Sequence, residues 1–211
     1  MLESKREVED WVYQNFDIPS ATKIEILDNL EIVVHGDLQN YTGLDISVLP
    51  VVFKQVLGWC FLGSMGLESL HGSPRECKSF QCSGNYLSRL EGGPLKIITG
   101  DYICSFNDLV SLKGLPLVIP GNLICHQNPL KTLEGFPSKV GGKVILTYKT
   151  DLPLLRTLAA STVEFDDYRD SLEEEDTVAE ILNRYAGKGK RAMFECQKAL
   201  EDAGFKENAR W

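Results

Sequence analysis

Three lines of this sequence lie in register, and that repeat limits the fold more than anything else in the chain. Phe80, Cys82, Asn85, Leu87, Leu90, Gly92 and Pro94 are followed by Tyr102, Cys104, Asn107, Leu109, Leu112, Gly114 and Pro116. Leu123, Cys125, Asn128, Leu130, Leu133, Gly135 and Pro137 come next. The glycines recur 22 and then 21 residues apart, and the Cys, Asn, Leu and Pro columns keep step. A unit this short cannot bury its own apolar side chains. Neighbouring units must stack and share one continuous interior.

Each position in the unit has a physical reason. Side chains on a strand alternate between faces, so Phe80 and Cys82 point inward while Gln81 and Ser83 point outward. Asn85, Asn107 and Asn128 fall where the chain bends away from the strand. An amide there satisfies backbone groups that a buried turn leaves unpaired. The leucines fill the next part of the interior. Gly then allows unusual φ and Pro fixes φ without needing a donor, so the chain turns back. Ile97, Ile119 and Val140 are the core residues expected on the far side. The pattern decays outward: Met65 stands where Asn belongs, Leu38 to Pro50 is a poorer copy, and the unit begun by Val144 and Leu146 loses register at residues 149–155. Atypical end units are expected where a stack must be closed.

The period and the apolar-x-Cys-x-x-Asn-x-Leu-x-x-Leu-x-Gly-x-Pro line match a leucine-rich repeat. With a Gly before the next strand, the line resembles the leucine-rich-repeat-like proteins of tailed bacteriophages and some bacteria over residues 36–150. The resemblance implies a non-enzymatic protein binder, with a host or defence protein as its partner. The fold class expected is α/β: a short solenoid of about six coils, capped by an N-terminal helix and followed by a C-terminal helical hairpin. The boundaries expected are 1–22 for the cap, 23–158 for the solenoid, and 159–211 for an acidic linker and the hairpin.

Composition narrows the partners. A net charge of -8 disfavours nucleic acid and favours protein. The start is charged and no apolar run is long enough to span a bilayer, so the expectation is a cytoplasmic chain without membrane contact. The six cysteines include no C-x-x-C. They read as reduced structural thiols, with no metal and no cofactor.

The flanks carry helix signals. Ser4 and Glu7 form a capping box ahead of Val8, Trp11, Val12 and Phe16 at helical spacing. Lys23 to Leu38 reads as short strands. Eight acids lie between Glu164 and Asp176, read as a solvated linker leading into a helix. The spacing of Asp166, Asp167 and Asp170 fits no calcium loop. Thr177 and Glu180 predict a cap for a helix carrying Val178, Ile181, Leu182 and Tyr185. A second helix is expected from Lys190 to Ala203, with Gly204 past its end and a loose tail from Phe205 to Trp211.

No catalytic constellation emerges. His35, His71 and His126 fall in different coils, and His126 points away from Cys125. Cys196 stands outside the repeats, but it lies on an apolar stripe. It also lacks the Cys-x-Asp of the bacterial effector ubiquitin ligases that join such repeats to a catalytic cysteine. Binding leaves a clearer trace on the outward strand positions, the concave face of such solenoids. There the pattern predicts a partner-binding set of Phe61, Ile103, Phe106, Ile124, His126, Ile145 and Tyr148. The C-terminal helices covering this patch, or self-association through it, are the competing uses. Two other function classes stay open: an enzyme or enzyme inhibitor acting through residues 164–211, and an acidic nucleic-acid mimic.

Overall fold

A computed structural model of the chain describes residues 2–41, 44–166 and 173–211. It is a β-solenoid of about six turns with a helix at the N-terminal end and helices at the C-terminal end. Helix α1 (Lys5–Asn15) leads into β1 (Phe16–Asp17), β2 (Lys23–Ile26), β3 (Glu31–His35) and β4 (Leu38–Asn40). The coils follow through β5 (Val52–Phe61), β6 (Glu76–Gln81), β7 (Lys96–Ile97), β8 (Tyr102–Ile103), β9 (Val118–Ile119), β10 (Leu123–Ile124), β11 (Lys139–Val140) and β12 (Lys143–Leu146). A short 3-10 helix (Leu155–Ala159), β13 (Thr162–Phe165), α2 (Glu173–Tyr185) and α3 (Lys190–Asp202) complete the chain.

One long sheet organises the molecule. Strands β4, β5, β6, β8, β10, β12 and β13 pair in parallel, each with the same part of the next coil. A second parallel line runs along another side: β7 joins the first half of β6, and β9 joins β11. Inward positions coincide from coil to coil. Leu38, Cys60, Phe80, Tyr102, Leu123, Val144 and Val163 share one register column, and all are buried. Cys82, Cys104 and Cys125 line the same interior, so the alternation expected of the strands holds.

The asparagines bind coil to coil. Asn107 accepts from the Leu87 N–H at 3.1 Å and donates to the carbonyls of Cys82 at 3.0 Å and Cys104 at 3.1 Å. Asn128 does the same one coil later, accepting from Leu109 and donating to Cys104 and Cys125. Asn85 takes the N–H groups of Met65 and Leu67, so the coil without its own Asn is served by the next one. Gly114 and Gly135 sit at φ +97° and +87°. A Cβ on Gly114 would come within 2.5 Å of the Leu90 backbone.

Both ends are closed. The capping box of α1 forms: Ser4 accepts from the Glu7 N–H, and Glu7 reaches back to the Ser4 N–H. Val8, Val12 and Phe16 are buried, and Phe16 meets Phe53 edge-on at 5.6 Å. At the other end, Asn183 of α2 accepts from the Val163 N–H at 2.7 Å and donates to the Val163 carbonyl at 2.8 Å. One amide thus occupies both ladder groups of an edge residue that would otherwise invite another strand.

Three expectations need correction here. Glu164 does not begin a solvated linker; it lies on β13 and pairs with Ile145 of β12, because Val163 completes the inward column. Thr177 is not a cap: α2 starts at Glu173, where carboxylates already suit a helix N-terminus, and Thr177 donates to the Glu173 carbonyl. The tail is docked: Asn208 and Ala209 are buried, and Asn208 donates to the carbonyls of Lys149 and Leu152, both at 2.9 Å. Lys149 stands in the Asn column of this last coil, and the tail ties down its carbonyl. Asp167 and Asp170, whose spacing fits no calcium loop, lie outside the described residues. No helix among the described residues is long and apolar enough to cross a membrane.

Candidate functional site

The outward column of the long sheet runs Gln39, Phe61, Gln81, Ile103, Ile124, Ile145, Glu164 in continuous register. Ile103, Ile124 and Ile145 therefore stand on adjacent rungs, spaced about 4.8 Å apart. They are half-buried, as outward residues flanked by their own neighbours must be. Phe61 does not join them, since Gln81 occupies the rung between. Phe61 stacks instead on Trp59, with centroids 5.5 Å apart and planes 11° from parallel. Trp59 escaped the sequence reading, although it sits two residues before Phe61 and so shares its face.

The edge of the isoleucine patch is built by the turn after each strand. Ser64, Gly84, Phe106 and Gln127 occupy equivalent places just before the Asn column or its Met65 replacement, and all four have φ between 54° and 70°. Only Gly adopts that conformation freely; a bulky side chain there is strained, at about 1–2 kcal/mol. Phe106 is nevertheless 45% exposed. It meets the His126 ring edge-to-face at 5.1 Å.

His126 and Tyr148 are tied to the C-terminal segment. His126 Nδ1 lies 2.7 Å from Asp166 Oδ2. Tyr148 packs edge-on against Phe165 at 5.2 Å, and its hydroxyl reaches Asn208 Oδ1 at 3.5 Å. Lys143 pairs with Glu164 at 2.8 Å on the same rim. Of the seven expected residues, Ile103, Phe106, Ile124, Ile145 and His126 form one continuous surface. Tyr148 lies at its covered end, and Phe61 stands apart. The two C-terminal helices pack on β13 and the 3-10 helix.

The surroundings of five cysteines, Cys60, Cys77, Cys82, Cys125 and Cys196, favour the protonated thiol. Burial pushes Cys60 and Cys82 well above the ordinary thiol range, and Cys77 up to about 12. A hydrogen bond with Cys104, together with burial, raises Cys125. Cys196 is buried between α3 and its neighbours and pushed up to about 11. A protonated thiol is a poor nucleophile and a poor metal ligand. His35 is engaged by Glu25 at 3.0 Å. Among the described residues no three His, Cys, Asp or Glu side chains converge on a possible metal position.

Compared with protein-family models, with curated proteins and with solved structures, the chain has no match in any of the three.

Proposed function

We propose that this chain is a non-enzymatic protein-binding module that takes its partner on the outer face of the long sheet. The observation that carries the reading is the unbroken aliphatic run of Ile103, Ile124 and Ile145 on an outward column, bordered by Phe106 in a left-handed backbone. Water-facing strand positions favour polar side chains, and a contiguous apolar patch there marks an interface. Repeat solenoids expose such columns as extended binding surfaces. The resemblance to leucine-rich-repeat-like phage proteins supports a host or defence protein as the partner.

The test is the double variant Ile103→Asp plus Ile124→Asp. Both side chains point away from the core, so the variant keeps the circular dichroism spectrum of the parent. It loses the protein that the parent retains from host lysate, as read by mass spectrometry. Retention of the same protein by both would reject the strand face as the site.

A further inference from the structure

A second surface carries an independent signal. Along the other side of the solenoid, two neighbouring columns face outward in each coil. One holds Lys54, Arg75, Leu95, Leu117 and Ser138, in sequence along the coils, with Leu95 bonded to the Arg75 carbonyl and Ser138 to that of Leu117. The other holds Gln55, Glu76, Lys96, Val118 and Lys139. The inward residues beside them, Cys77, Ile97, Ile119 and Val140, already fill the core. Leu95 and Leu117 are therefore surplus to packing, and they are 73% and 77% exposed. Val118 and Ile98 extend the same patch. Among the exposed large apolar residues, Leu95 and Leu117 show more of their surface than any other.

The charge around this patch runs against the rest of the molecule. The chain carries -8 overall. Yet the two columns hold four cations and a single carboxylate, Glu76, whose ion pair with Lys96 at 3.2 Å leaves a surplus of three cations, Lys54, Arg75 and Lys139. Lys78 adds a further cation next to Ile98. Leucines standing proud between lysines and an arginine match a ligand with the opposite pattern. Five rungs at about 4.8 Å make a strip roughly 20 Å long, the length of an extended segment of about six residues.

We infer that this strip docks an acidic segment of a partner protein whose own apolar side chains sit between its carboxylates. The leucines supply buried area and the cations supply orientation and encounter rate. An anionic membrane is the poorer fit, because a molecule with this net charge is repelled by such a surface beyond the reach of one strip.

A fluorescein-labelled peptide of alternating Glu and Leu tests it by fluorescence anisotropy on the full chain. Control peptides replace Leu by Ser or Glu by Lys. The expected result is binding of the Glu–Leu peptide alone, weakened at least about tenfold by Leu95→Ser plus Leu117→Ser, both at exposed positions that leave the fold intact. Raising salt from about 50 to about 300 mM weakens it further. Ile103→Asp plus Ile124→Asp leaves this binding unchanged, which separates the strip from the strand face. No binding of the Glu–Leu peptide, equal binding of the controls, or an unaffected leucine variant would overturn the proposal. So would phosphatidylserine vesicles taking the place of the peptide, or sedimentation showing that the leucines join two copies of this chain.

Discussion

One backbone position separates stability from use. In the four coils where it can be compared, the residue before the Asn column takes a left-handed conformation, and only Gly84 suits it. Gln127 bears the strain with little return from its side chain: the hydrogen bond it makes to Thr147 comes from its backbone N–H, at 2.6 Å. Gln127→Gly should raise stability by about 0.5–1 kcal/mol, the relief of strain less the entropy of an added glycine. Urea denaturation reads this directly. Phe106→Gly relieves the same strain but removes a ring from the edge of the isoleucine patch, so it weakens partner capture. A gain in stability alongside a loss of binding would identify Phe106 as retained for recognition.

Among the elements, those inside the repeat were the most legible. Strand, Asn turn, leucines and Gly-x-Pro recur in the sequence because each coil solves the same packing problem. The structure places Phe80, Tyr102 and Leu123 in one inward column as that pattern requires. The isoleucine column followed from the same alternation. What the sequence hid was the repair of its irregular end. Nothing in the residues around Asn183 or Asn208 shows that their amides will serve strands and turns far away in sequence. The acids around Glu164 resemble a linker because outward strand positions and linkers share a polar composition. The separation of Phe61 from the isoleucines was legible too, because the repeat register already puts the polar Gln81 between Phe61 and Ile103. Asn208 gives the element-scale prediction. Asn208→Ala leaves the Lys149 and Leu152 carbonyls without its donors, and should cost about 2–3 kcal/mol. Hydrogen exchange should rise first in residues 149–154. A variant as stable as the parent would show that the tail does not close the last coil.

For the whole molecule, the stacked thiols set the response to pH. The folded state holds Cys77 up to about 12, and Cys60, Cys82, Cys125 and Tyr102 well above their ordinary ranges, chiefly through burial for all but Cys125. Above about pH 9 the unfolded chain releases thiol protons that the folded chain retains. The folded state then binds more protons, so stability falls as pH rises. Each such thiol contributes up to about 1.4 kcal/mol per pH unit. Urea midpoints measured from pH 8 upward should be flat at first and then decline steeply, and Cys77→Ala should make the decline shallower.

The same stacking aligns Ile103, Ile124 and Ile145 on one outward column, the face on which the proposed function places a partner. Placing a photoreactive benzophenone side chain at position 124, and at the exposed Lys131 as control, locates that partner on the folded molecule. Cross-linking from position 124 and none from position 131 is the predicted result. A partner cross-linked from position 131 and not from 124 would contradict the assignment of binding to the isoleucine face.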